Sequence, residues 1–152
     1  MLEAWLDYHR ATLQLKCAGL SGEQLARRAV EPSNLSLLGL VRHMAEVERS
    51  WFRRRFAGQD LEMIYCSPER EDGDFDDVDA AEAEQDFTTY GREVDAAREV
   101  AERHSLDDTF FHHRDKVEMD LRWIYVHMIE EYARHNGHAD LLRERIDGAT
   151  GE

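Results

Sequence analysis

Lysine is nearly missing from this 152-residue chain: Lys16 and Lys116 are the only two, and arginine makes up the rest of its 19 basic residues. Against them stand 33 acidic residues, for a formal net charge of −14. Phosphate binding needs a basic face, so this balance argues against nucleic acid as a partner and against an anionic membrane surface. Cysteine is equally sparse. Cys17 and Cys66 are too few and too unpatterned for a disulfide framework, which points to a reducing compartment and a cytoplasmic protein. Only two prolines interrupt the chain and strand-like alternation is scarce, so the composition favours helix. No stretch approaches the roughly 20 apolar residues of a membrane-spanning helix. The opening MLEAWLDYHR carries acidic groups and no apolar run, and predicts neither a secretory signal nor a transit peptide.

What is present is a globular mixture, 42% apolar and 34% charged, in a length that suits one domain over residues 1–152 with a real core. Apolar positions recur at helical spacing in four segments. The first runs from about Leu2 to Gly19, with Leu2, Leu6, Leu13, Cys17 and Leu20 on one side and His9 among them. A short helical turn is expected around Glu23 to Arg28. The second helix starts near Ser33 to Ser36, whose side chains can cap its first turn, and runs to Phe56 with Gly58 ending it. Leu37, Leu40, Val41, Met44, Val47, Trp51 and Phe56 form its buried stripe. Residues 59–78 are acidic and poor in apolar groups, and read as a mobile surface loop, most clearly over 66–79. A third helix spans about Ala80 to His104, a second connection Ser105 to Lys116, and a fourth helix Leu121 to Ile146, closed by Gly148. The fold class is therefore all-α, a compact four-helix bundle.

The fourth helix carries polar groups on its apolar side. With Glu131 at zero and about 100° per residue, Ile124 and Leu142 fall at about +20° and Met128 at about +60°. His135 then lies at about +40°, His138 at about −20° and His127 at about −40°. Burying a carboxylate unpaired is costly unless a partner or a metal compensates. Glu131 and His135 are four apart, and His135 and His138 three apart, so both pairs lie side by side on one face. Two ligands from one helix can reach one ion in this way. His127 and His138 lie roughly 16 Å apart along the axis and cannot share one. A facing ligand is available in His43, at the border of the second helix's buried stripe. Glu46 points further away, and His9 on the first helix can also come close. The plainer alternative is a set of hydrogen-bonded core histidines, with Glu131 paired to an arginine. His112 and His113, in a polar connection, read as solvated.

Two segments, SLLGLVRHMAEVERSWF at 36–52 and DLRWIYVHMIEEYARHNGHADLLRERIDGATGE at 120–152, resemble the DinB/YfiT-like superfamily, in its actinobacterial branch related to mycothiol-dependent enzymes. The resemblance implies an up-down-down-up four-helix bundle in which one histidine of the second helix and two residues of the last hold a zinc or nickel-like ion. Residue by residue, it places the first ligand on His43. The Glu-x-x-x-His pair of the mycothiol-dependent isomerases matches Glu131 and His135. Relatives with two histidines four apart are not matched, since Arg134 stands four before His138. His138 is then an additional ligand or a proton-handling, catalytic neighbour, a role His9 could share. The ion is expected to be zinc, with nickel, iron or manganese also compatible with such ligands. An open position on a three-ligand site suits catalysis. The resemblance implies a metal-dependent S-transferase that joins a low-molecular-weight thiol such as mycothiol to a small electrophile. A non-catalytic stress-response or metal-binding protein and a metal-assisted hydrolase are the alternatives. A homodimer through Trp5, Trp123 or Tyr125 is also compatible with it.

Overall fold

The computed structural model describes residues 1–151. It is mostly helical, and four long helices contribute to one apolar core. The first helix, α1 (Leu2–Cys17), buries Leu6, Arg10, Leu13 and Cys17, spaced three or four apart as one helical face requires. The short α2 (Gly22–Ala26) starts in a reciprocal cap between Ser21 and Gln24. The next helix, α3 (Leu37–Glu48), begins at Ser36, whose hydroxyl accepts from the Gly39 amide, and continues into a π-helical stretch, Arg49–Phe56. After a single turn of helix, α4 (Gly73–Asp76), and a 3₁₀ turn, Ala80–Glu82, the chain enters α5 (Ala83–Glu102). The last helix, α6 (Leu121–Asp147), is capped by the Asp120 carboxylate, which accepts from the Trp123 amide, and ends on Gly148 at φ +80°. A left-handed closing residue of that kind suits glycine.

Two expectations need correction here. The connection before α6 is no plain loop. Thr109–His112 and Val117–Asp120 form an antiparallel hairpin, β1 and β2, so the chain is not wholly α. Residues 59–78 are also organised, with Gly73 and Asp74 buried against α3. The reason lies in the polar groups of α3, whose charges have no partner on their own helix. Among the aromatic residues considered for a dimer contact, Tyr125 is buried in the core, whereas Trp5 and Trp123 are exposed. Among the described residues no helix is long and apolar enough to cross a membrane.

Specific contacts give the helix directions. Along α3 and its π extension, His43 meets His135, Glu48 meets Tyr132 and Phe52 meets Tyr125, so this helix runs antiparallel to α6. Contacts of His9 with Asn136 and Lys16 with Asp140 make α1 and α6 parallel. Arg42 with Asp86 and Arg49 with Glu93 make α3 and α5 parallel.

At the centre of the core sits Glu48, with no exposure at all. Its carboxylate takes two hydrogen bonds from Arg10, Nε to Oε1 at 2.8 Å and the terminal nitrogen to Oε2 at 2.7 Å. The Tyr132 hydroxyl donates to Oε1 at 2.8 Å, and Tyr90 lies 3.0 Å from Tyr132. Burial holds the Tyr132 phenol far above its ordinary pKa, which keeps it a donor. One network thus ties α1, α3, α5 and α6. Removing one member of a buried ion pair leaves the other charge uncompensated. Glu48→Ala is therefore expected to lower the unfolding free energy by about 3–5 kcal/mol in urea titrations. Tyr132→Phe, which removes one donor, should cost about 1–3 kcal/mol.

Candidate metal centre

The antiparallel pairing of α3 with α6 brings His43 opposite His135. Donor atoms of His43, Glu131 and His135 all lie within 4.8 Å of one another. The His135 Nε2 and a Glu131 carboxylate oxygen are 3.4 Å apart. Two donors about 2.1 Å from a tetrahedral ion lie roughly 3.4 Å from each other, so this edge already has the right length. Two imidazoles and a carboxylate are a donor set that zinc, nickel, iron and manganese accept. The cluster could hold a divalent ion.

The segment read as loose supplies the second layer of this site. The His43 Nδ1 lies 2.7 Å from Asp74 Oδ2, and Asp74 is almost fully buried. An ionised carboxylate only accepts, so His43 carries its proton on Nδ1 and presents the Nε2 lone pair to the cluster. Carboxylate–histidine pairs of this kind orient metal ligands and raise their basicity. Phe75 stacks on the same imidazole with ring centres 4.8 Å apart.

Two charged side chains of α3, Arg42 and Glu46, hold the segment that carries Asp74. Arg42 donates to the Asp74 and Gly73 carbonyls at 3.0 and 2.9 Å, and its guanidinium lies 4.0 Å over the Tyr65 ring. Tyr65 in turn donates to Asp86 at 2.8 Å. One oxygen of Glu46 accepts the backbone amides of Ile64, Tyr65 and Cys66 at 2.7, 2.5 and 3.0 Å. Glu46 is thus a loop anchor and not a member of the cluster. Gly73 is required by space, since a Cβ there would come within 2.3 Å of the Tyr65 carbonyl oxygen.

The remaining sequence candidates fall around the cluster. His138 is not among the three converging donors; its Nδ1 lies 3.3 Å from the Nδ1 of His135, on the side away from Glu131. Burial, then the neighbouring His135 and Arg134, lower its pKa. His127 lies 3.7 Å from the other Glu131 oxygen and stacks on Trp123 at 5.0 Å. Burial lowers its pKa too, against the opposing pull of Glu131 and Glu130. The His135 imidazole beside Glu131 holds that carboxyl below its ordinary pKa, although burial opposes this. No arginine takes Glu131 among the described residues, so the alternative of an arginine partner is not what is found. His9 lies beside Asn136, whose amide donates to its backbone carbonyl, and is not among the three converging donors. His112 is buried and stacks on Trp51, contrary to its reading as solvated, while His113 is exposed.

Asp74 was the residue that sequence reasoning missed. Its signal was indirect: Arg42, His43 and Glu46 on an otherwise apolar helix demand partners, and the acidic segment downstream supplies one of them.

The helical frame brings two histidines and a glutamate together in a cluster that could hold a divalent metal ion. The chain belongs to the mycothiol-S-transferase family, whose model matches residues 1–148. No curated protein and no solved structure matches it.

Two outcomes follow from the site. Asp74→Asn should weaken divalent-metal affinity by about 10–100-fold in chelator competition, with the fold retained by circular dichroism. The second concerns acid. His127 and His138 have folded pKa values below the unfolded value of 6.5, so the unfolded chain takes up more protons. Their contribution to stability is whole above that value and is lost as pH falls through it and on toward the folded values. Metal-free protein should accordingly show a falling urea midpoint from pH 7 to pH 5, and a flat profile there would contradict the assignment.

Proposed function

We propose that this protein is a metal-dependent S-transferase that joins a low-molecular-weight thiol of the mycothiol type to a small electrophile. The observation that carries this reading is the convergence of His43, Glu131 and His135 in a chain of the mycothiol-S-transferase family. The frame is read as a single domain, an up-down-down-up four-helix bundle, in keeping with α1 and α6 parallel and α3 antiparallel to α6. His43 through Nε2, Glu131 and His135 are the proposed ligands, and zinc the proposed ion. With three protein ligands, a fourth position stays open for substrate.

A divalent ion there supplies positive charge that lowers the pKa of a thiol brought to it. The chain's own residues do the rest. Asp74 fixes the His43 ring, so that its donor atom needs no reorientation when the ion or the thiol arrives. Glu131 contributes negative charge, with His127 3.7 Å from one of its oxygens. His138, with its lowered pKa, is neutral near pH 7 and is the proposed acceptor of the thiol proton. Neither cysteine of the chain competes as the reacting sulfur. Burial pushes the Cys17 thiol up to about 12 and the Cys66 thiol up to about 11, so both stay protonated at neutral pH. The reacting thiol is accordingly assigned to a small molecule. A cytoplasmic setting, and pairing of two copies through exposed Trp5 and Trp123, complete the proposal.

The test is conjugation of mycothiol to monochlorobimane by zinc-loaded protein. His43→Ala should abolish turnover, and His138→Gln should lower it by about 10²-fold or more, the lower range for a general base. Turnover that needs no added thiol would identify a hydrolase instead. No turnover with mycothiol or other small thiols would leave a metal-binding protein without this chemistry.

A further inference from the structure

Arginine is the commonest base in this acidic protein, and most of its arginines face carboxylates. Arg10 faces Glu48, Arg42 faces Asp86, and Arg49 and Arg53 share Glu93. At the end of the π-helical stretch the pattern breaks. Arg54, Arg55 and Arg114 line one cavity of about 370 Å³, a size that suits a small ligand. Among the described residues none of the three forms an ion pair with a carboxylate. Arg54 reaches the Met63 sulfur, and Arg55 reaches the Ser50 hydroxyl and lies 4.5 Å over the Trp51 ring. The acids near the cavity are Asp60 in its wall and Asp115, whose charge is felt by Arg55 but whose oxygen lies 3.1 Å from His112. Burial, and after it the repulsion of Arg54 and Arg114, depress the pKa of Arg55, which is what crowded guanidinium groups do to one another.

This cavity adjoins a second one that reaches His43. The second, of about 280 Å³, begins at His43 and Asp74 and runs along the same helix past Val47 and Trp51. Ser50 and Arg55 line both cavities. From His43 to Arg55 the helix covers roughly 15–18 Å. The two cavities together thus have His43 with the carboxylates of Glu46, Asp72 and Asp74 at one end, apolar side chains of Val47, Trp51 and Met63 between, and the three guanidinium groups at the other end.

We infer that Arg54, Arg55 and Arg114 form an anion-recognition subsite for an elongated substrate, apolar in its middle and ending in a carboxylate or phosphate ester. Its reacting end would lie at His43. The inference rests on the proposed transferase reading for what happens at that end, but the subsite itself does not need the metal. Planar guanidinium groups match such oxyanions with paired hydrogen bonds, and the crowding among the three is relieved when an anion enters.

The experiment is a binding titration with zinc-loaded protein, read by tryptophan fluorescence and calorimetry. The probes are 4-phenylbutyrate, its neutral counterpart 4-phenylbutan-1-ol, and phenyl phosphate, and comparison of the two acids identifies the preferred head group. At least one anion should bind about tenfold or more tightly than the alcohol, and that margin should shrink as salt is raised. Arg54→Gln combined with Arg114→Gln should remove the margin without changing alcohol binding or the melting temperature. His43→Ala should leave it in place, because it lies at the far end of the groove. Equal binding of acids and alcohol, or a margin that survives the arginine substitutions, would overturn the inference. A margin lost in His43→Ala and kept in the arginine variant would also overturn it, by assigning the anion to the metal. Conjugation of neutral monochlorobimane reports separately on the transferase reading: arginine-dependent anion binding without conjugation sinks that reading alone, and conjugation without it sinks the subsite alone.

Discussion

Glu48 is a carboxylate with no access to water, and it stands where α1, α3 and α6 meet. Arg10 supplies the countercharge and Tyr132 a third hydrogen bond, while Tyr90 extends the network to α5. A buried charge satisfied only in one arrangement of four helices penalises every other arrangement, because sliding a helix by one turn would strand an ion in the core. The consequence for function is direct. Glu48 lies five residues beyond His43, and Tyr132 lies between Glu131 and His135. The contact that fixes the register of α3 against α6 therefore also fixes the distance between the proposed ligands. The aliphatic core around it is non-directional and would tolerate small slips that this network does not.

The candidate metal cluster is built in layers, each with a different physical task. Glu131, His135 and His43 present donor atoms. Asp74 and His138 lie at hydrogen-bond distance from His43 and His135 and orient those rings, while His127 lies 3.7 Å from a Glu131 oxygen. A third set, Arg42 and Glu46, holds the backbone that carries Asp74. Glu46 shows how much this last layer matters: one of its oxygens takes three successive amides, which no surface loop of loose structure would offer. The ordering of residues 62–76 is thus bound up with the readiness of His43 to bind an ion.

Much of this was legible beforehand because helical periodicity is local information. The histidines and Glu131 stood out on α6 since they interrupt an apolar stripe, and His43 because it borders another. What was not legible depends on contacts distant in sequence. Arg10, rather than His9, occupies the buried face of α1, and only the presence of Glu48 on another helix explains why a guanidinium can sit there. The acidic run around Asp74 looked like a solvated loop because its composition is that of one; its partners, Arg42 and His43, are about thirty residues upstream. The hairpin Thr109–His112 with Val117–Asp120 is short and has little alternation, and Phe110 is held by packing on Phe56 rather than by any pattern in its own sequence.

The central claim is that His43, Glu131 and His135 bind a single ion with nitrogen and oxygen donors only. X-ray absorption at the metal edge, on protein purified without a histidine tag, tests it most directly. The account predicts one equivalent of metal, a nitrogen/oxygen shell at about 2.0–2.2 Å, and the outer-shell scattering of two imidazoles, lost when Glu131 and His135 are both replaced by alanine. A sulfur shell at about 2.3 Å in the absence of added thiol, or a spectrum unchanged by those two replacements, would contradict it.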